Sequence, residues 1–169
     1  AAEATAAPET AETGSAADAA EATTSGDKTW VIATDTVFKP FEYTDESGNF
    51  VGIDVDIVAA IAEDQGFQYE LKSLGWDAAI AACQAGQADG MIAGASITDE
   101  RKESGWLFSD GYYTATQCMA VAENSDIAGF EGLKDQQVAV KTGTQGASYA
   151  ESLKDQYGFN INYFEDSPT

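Results

Sequence analysis

Between Trp30 and Ala93 short apolar runs alternate with helix-period segments, and few folds accept that alternation. Trp30-Val31-Ile32-Ala33 reads as a strand that ends at Thr34-Asp35-Thr36. Residues 56–64 read as a helix with Ile57, Val58 and Ile61 on one face, Asp54 as its N-cap and Gly66 as its stop. Residues 67–71 read as a strand, 76–85 as a second helix closed by Gly86, and 90–93 as a third strand. A β-α-β-α-β order argues a parallel sheet with helices on its faces. Between the first strand and the first helix, residues 38–50 are irregular, with Pro40 and a turn at Ser47-Gly48-Asn49.

A second unit follows. Residues 117–122 and 137–141 read as strands, 147–157 as a helix stopped by Gly158, and 160–164 as a further strand. It holds one βαβ element and lacks a partner for its outer faces. Before Trp30 there is no large apolar side chain, and residues 1–26 are almost entirely Ala, Glu, Thr, Ser and Gly. Such a segment cannot bury enough surface to offset its ordering entropy, so it is expected to be a disordered linker, with a tether between a membrane anchor and a folded domain as its natural use.

Charge and composition remove several function classes. The 8 basic and 29 acidic residues leave a net charge of −21, which repels a phosphate backbone or an anionic membrane surface. Nucleic acid is therefore not an expected partner. With no histidine in the chain, neither a Ser/His nor a Cys/His nucleophile pair can form, and the commonest metal ligand is missing. Cys83 and Cys118 read as two buried thiols packed as small hydrophobes, with a single disulfide as the alternative. Asp54 and Asp56 resemble the start of a calcium loop, but the glycine and closing glutamate of that motif are missing. No metal or cofactor is expected.

Residues 89–113 carry the sharpest functional signal. Thr98 reads as an N-cap, so Asp99, Glu100 and Arg101 take the first three helical positions. Asp99 and Glu100 suit the positive end of a helix; Arg101 does not. A residue that breaks a local rule at a loop edge is a candidate for function. The arginine fork matches a carboxylate with two parallel hydrogen bonds, and the preceding Ala93-Gly94-Ala95-Ser96 turn can bring backbone N–H groups and a hydroxyl to the same anion. The competing reading pairs Arg101 with Glu103 or Asp99 on the surface.

In open parallel sheets, ligands sit beyond the carboxyl ends of the strands. Asp35 and Phe38 follow the first strand; Gly94, Ser96 and Arg101 follow the third; Lys141 and the Thr142-Gly143-Thr144-Gln145-Gly146 turn close the strand of the second unit. Trp76 opens a helix at the same end. The glycine turn lacks the order of a phosphate loop. An arginine for a carboxylate, an aspartate for an ammonium or amide, and two aromatic walls together describe a zwitterionic amino acid.

The blocks ATDTVFKPFEY at 33–43, VGIDVDIVAAIAE at 51–63, ADGMIAGASITDERK at 88–102, FSDGYY at 108–113 and VAVKTGT at 138–144 resemble the periplasmic and lipoprotein solute-binding proteins, family 3, that feed polar amino acids to ATP-driven importers. The likeness is strongest to the glutamine-binding branch. It implies a two-lobed α/β fold of the type II periplasmic-binding-protein kind: a linker at 1–27, a first lobe at 28–113, a hinge crossing at 114–120 and a partial second lobe at 121–169. Carried over position by position, it implies that Arg101 holds the α-carboxylate with Ser96 and the backbone at Gly94 and Thr144. Asp35 and Lys141 would read the side chain, and Phe38 and Trp76 would sandwich the ligand. It further implies a free L-amino acid and ABC-transporter permease subunits as partners, an extracytoplasmic location, membrane contact only through an N-terminal anchor, and no catalysis. A sensor domain, or a dehydratase-like enzyme on the same fold, is the alternative. Members of the family continue past Thr169, so the chain is expected to be a fragment or to be completed by another chain.

Overall fold

Parallel pairing starts at the segment richest in β-branched and aromatic residues, Thr29–Thr34, which forms β1. The computed structural model describes residues 28–166, so the acidic linker at 1–27 lies outside the described residues. β1 is the middle strand of a three-stranded parallel sheet. On one side it pairs with β4 (Gln68–Ser73) in the register Thr29↔Gln68 to Thr34↔Ser73, and on the other with the short β5 (Gly90–Met91) through Ile32↔Gly90 and Ala33↔Met91. A near-continuous apolar run is what a strand covered on both faces requires.

Between β1 and β4 lie a small antiparallel pair, β2 (Tyr43–Thr44) with β3 (Phe50–Val51), and the helix α1 (Ile53–Gln65). The turn expected at 47–49 closes that pair, with Asp45 accepting from the Ser47 and Asn49 amides. The first turn of α1 differs from the sequence expectation. Its N-cap is Gly52, with φ 142° and no side-chain cap. A Cβ there would lie 2.1 Å from the Phe41 carbonyl oxygen, so the close approach of the 38–42 loop dictates glycine. Asp54 thus falls inside the helix and heads its buried stripe, Asp54-Val58-Ala62, while Ile61, expected on the core face, is 49% exposed. At the other end Gly66 adopts the left-handed conformation and stops the helix as expected.

α2 (Trp76–Gln84) packs on β1 through Ala79 and Ala82, which meet Ala33 and Ala88 in a buried cluster flanked by Val31, Cys83 and Met91. Small side chains on both partners let the helix approach the sheet closely. After β5 comes the five-residue α3 (Asp99–Glu103), whose Thr98 hydroxyl accepts from the Arg101 amide, the cap expected there.

The second unit is β6 (Gln137–Lys141), α4 (Gln145–Tyr157) and β7 (Asn160–Phe164), with β6 and β7 parallel in the register Gln137↔Asn160 to Lys141↔Phe164. Thr144 caps α4 and Gly158 ends it in the left-handed conformation. Leu133, Ala147 and Phe159 are its buried apolar residues, and Phe130 packs its ring against Tyr149 and Tyr157.

The strand expected at 117–122 does not form. A strand needs a neighbouring backbone for its N–H and C=O groups, and among the described residues none runs beside this one. Cys118 is accordingly exposed rather than buried, Cys83 is half-buried, and both are free thiols. No helix among the described residues is long and apolar enough to cross a membrane.

Candidate functional site

All eight residues singled out in the sequence, Asp35, Phe38, Trp76, Gly94, Ser96, Arg101, Lys141 and Thr144, line one cavity of about 200 Å³. They arrive from the carboxyl ends of β1, β5 and β6, from α3 and from the starts of α2 and α4, the end of a parallel sheet where ligands bind. The size suits a molecule well below drug dimensions.

Arg101 is held from several sides. Its Nη1 donates to the Ser96 carbonyl at 2.8 Å and its Nη2 to the Gly143 carbonyl at 3.3 Å. The guanidinium carbon lies 5.2 Å from the Trp76 ring centre and 5.1 Å from that of Trp106, both within cation–π range. Burial lowers its pKa from the ordinary value, with Glu100 opposing, yet a guanidinium keeps its charge throughout the working range of a protein. The surface pairing with Asp99 does not occur: Lys102 takes Asp99, at 3.3 Å. Two of the five guanidinium N–H groups are committed to these carbonyls, and the rest are open to an anion in the cavity.

Opposite stands an ion pair. Asp35, 3% exposed, accepts from the Thr36 amide at 2.7 Å and from the ammonium of Lys141 at its other oxygen. Lys141 is the last residue of β6, so this contact joins the two units across the cavity. Trp76, 6% exposed, opens α2 and donates its indole N–H to the Gly143 carbonyl at 3.2 Å, a second tie between the units. Gly143 thus receives both Trp76 and Arg101, and its left-handed φ of 69° lets the turn present that carbonyl. Thr144 donates its hydroxyl to the Lys141 carbonyl at 2.7 Å and accepts from the Ala147 amide at 3.2 Å.

Gly94 differs from its expected role. Its N–H is not free for a carboxylate, because it donates at 2.7 Å to the buried carboxylate of Asp54. What the residue can offer a ligand is its carbonyl, an acceptor suited to an ammonium. A Cβ on Gly94 would sit 2.7 Å from the Phe38 ring, so a side chain here would displace the aromatic wall of the cavity.

Gln117 and Trp106 escaped sequence reading, while Gln145 was expected only as part of the 142–146 turn. Gln117 and Gln145 also line the cavity, and each brings an amide that can donate and accept. Gln117 was assigned to a strand, and nothing local marks a residue of an irregular segment as cavity-facing. Trp106 braces the guanidinium from outside the cavity; its place a few residues after Arg101 is the only signal it leaves in the sequence.

Behind the cavity lie two buried carboxyl groups, Glu42 and Asp54, each with 0% exposure. Burial, reinforced by the neighbouring Asp54 charge, pushes the Glu42 carboxyl up to about 9. Burial and the same aspartate raise the pKa of the Tyr112 phenol, which donates to Asp54 at 2.9 Å.

Residues 30–164 match the bacterial extracellular solute-binding proteins, family 3. The chain belongs to that family. The arginine-binding extracellular protein ArtP of Bacillus subtilis (strain 168) is 34% identical to it over 135 residues, which are 80% of this chain and 52% of that protein. Among solved structures, an ancestral arginine-binding protein bound to arginine superposes with a TM-score of 0.75 at 35% identity, covering 82% of this chain and 61% of that one. The substrate-binding domain 2 of Lactococcus lactis GlnP, in its open conformation, gives 0.53 at 36% identity, with 82% and 60% covered. This family member therefore has the type II periplasmic-binding-protein fold, and it spans about half to three fifths of the length of these relatives.

Proposed function

We propose that the full-length protein captures a free polar L-amino acid outside the cytoplasm, glutamine before others, and hands it to the permease subunits of an ABC importer without chemical change. The observation that carries this is the Arg101 guanidinium: fixed by two carbonyls and two indoles, it faces a small cavity with donors to spare. In this reading Arg101 takes the α-carboxylate, with Ser96 and Thr144 beside it. Phe38 and Trp76 cover the aliphatic part, and the Gly94 carbonyl accepts from the ammonium.

The side chain is read by Asp35 and Lys141. Because Lys141 already neutralises Asp35, a cationic side chain would have to compete with a resident ammonium for one carboxylate. A neutral amide can instead accept from Lys141 and donate to Asp35, which supports glutamine over arginine. The relatives named for arginine leave that preference open for this chain. Residues 28–113 and 121–169 form the two lobes in this reading, 114–120 the crossing between them, and the acidic segment at 1–27 the tether to an N-terminal membrane anchor.

Calorimetric titration of the full-length protein with the twenty amino acids tests the reading. Saturable binding with glutamine foremost is expected, together with its loss in Arg101→Ala. Leaving the ligand carboxylate unpaired in the closed site costs about 3–5 kcal/mol, a loss of two to three and a half decades in affinity. Unchanged affinity in that variant would remove the clamp, and absence of binding by any amino acid would remove the function.

A further inference from the structure

Asp54 is out of place as an ordinary helix residue. It is wholly buried at the head of the apolar stripe of α1, where an anion is stabilised by the helix N-terminus. One of its oxygens accepts from the Gly94 amide at 2.7 Å and the other from the Tyr112 hydroxyl at 2.9 Å. Glu42 lies against it with both carboxyl oxygens sealed from solvent and met by no conventional donor. Two adjacent carboxyl groups, one of which has no donor of its own, can meet favourably only through a proton that one of them carries. Asp54 already accepts two hydrogen bonds at a helix start, so it is the anion and Glu42 the acid that donates to it.

These contacts gather three separate stretches of chain. The 38–42 loop is fastened to α1 by Ile53 N–H to the Pro40 carbonyl at 3.1 Å and Asp54 N–H to the Phe41 carbonyl at 2.9 Å. Phe41 stacks on Phe38, a wall of the cavity, and meets Tyr113 edge-on, both at 5.0 Å. Gly94 lies against Phe38, and Tyr112 lies in the irregular run that carries Gln117 into the cavity. We propose that Asp54, with the proton of Glu42 and the hydroxyl of Tyr112, is the positioning residue of the binding site: it fixes the Gly94 turn against Phe38 and ties it to the segment that leads to Gln117. This rests on the reading of the cavity as an amino-acid site.

The arrangement is sensitive to one proton. Removing it places two anions side by side in an apolar setting, and the groups that face Glu42 are Asp54 from α1, Tyr112 from the segment after α3, Asp35 after β1 and Lys141 at the end of β6. Of these, Asp54 and Asp35 oppose loss of the proton and Lys141 favours it. Glu42→Gln keeps a donor for Asp54 and cannot titrate.

The test uses the full-length protein in three forms: wild type, Glu42→Gln and Tyr112→Phe. Tyr112 is 44% exposed, and Tyr112→Phe keeps its ring and removes only the hydroxyl that donates to Asp54. With glutamine as the probe, wild type and Glu42→Gln are expected to have similar Kd at pH 7 and to diverge as the pH rises, by up to about tenfold at pH 10, the limit linkage sets when a group titrating near 9 keeps its proton in the bound form. Taking the ratio of the two cancels titration of the ligand ammonium. In ligand-free protein the Gly94 amide proton resonance is expected to move with pH in wild type, to stay fixed in Glu42→Gln, and to be displaced in Tyr112→Phe. A flat ratio, or a Gly94 amide indifferent to both changes, would overturn the positioning role. Binding of no amino acid by wild type would overturn the functional reading instead, and the Gly94 amide would still decide this one.

Discussion

The two βαβ units use the same grammar and bury very different amounts of it. β1 ends in Ala33 and Thr34, both at 0% exposure; β7 ends in Tyr163 and Phe164, at 49% and 54%. The difference is neighbours. β1 has a strand on either side and helices to cover it, whereas β7 has β6 alone and leaves one edge unpaired among the described residues. Alternation of elements selects the supersecondary unit, but burial depends on how many such units meet. The lesson extends to the cavity. The first unit contributes Arg101, Trp76, Phe38 and the Gly94 turn, a rigid set resting on a closed core. The second contributes Lys141, Thr144 and Gln145 from a lightly covered pair of strands.

That division of labour makes the largest prediction. If the first unit anchors any amino acid and the second discriminates among them, Lys141→Met should change the ranking of ligands more than it changes binding as a whole. Asp35 would be left buried without its ammonium, and a cationic side chain could take the vacated place. The glutamine-to-arginine affinity ratio of the full-length protein is expected to fall by about a hundredfold, ~3 kcal/mol by the cost of an unpaired buried carboxylate. Competition calorimetry with the two amino acids reads it directly. An unaltered ratio would mean that the second unit does not read the side chain.

The contrast also explains what the sequence could and could not disclose. Helix stops at Gly66 and Gly158 and the cap at Thr98 were legible because each depends on a few adjacent residues. So were the eight cavity residues, because strand ends in a parallel sheet share one side. Asp54 was misplaced as a cap because its partners, Gly94 and Tyr112, lie 40 and 58 residues away. The helix begins two residues earlier, at the Gly52 contact with Phe41, which no local pattern encodes. Residues 117–122 are a mostly apolar run with only Val121 β-branched and no strand beside them, so an apolar stretch alone did not make a strand. Arg101 was singled out as a cation in a first helical turn, but α3 is so short that the residue also lies in its last turn, and the indole of Trp106 that braces it came from packing alone.

A middle-sized effect is expected in the closed core of the first unit. Ala79 is wholly buried where α2 meets β1, against Ala33 and Ala88. Ala79→Leu adds three carbons to a contact built from alanines, and overpacking of this kind costs about 1–3 kcal/mol. Chemical denaturation is expected to show a lower midpoint with an unchanged slope, since the damage is to packing rather than to the surface exposed on unfolding. A midpoint equal to that of wild type would mean that the helix rides farther from the sheet than the alanine cluster implies.

The smallest effect belongs to the edge. Phe164 closes β7 with its side chain 54% exposed, and what it gives the structure is its carbonyl, which accepts from the Thr142 amide at 2.9 Å and the Thr142 hydroxyl at 3.2 Å. Both bonds are to the backbone of residue 164 and survive a change of side chain. Phe164→Ser should therefore alter stability by no more than about 0.5 kcal/mol, as for surface substitutions generally. The same change at a position with strands on both sides would remove buried apolar area and cost several times more. Parallel denaturation of Phe164→Ser and Ala79→Leu puts the two units on one scale. If Phe164→Ser proved the more damaging, β7 would be covered in solution and the asymmetry between the units would disappear, taking with it the reason for assigning anchoring to one and discrimination to the other.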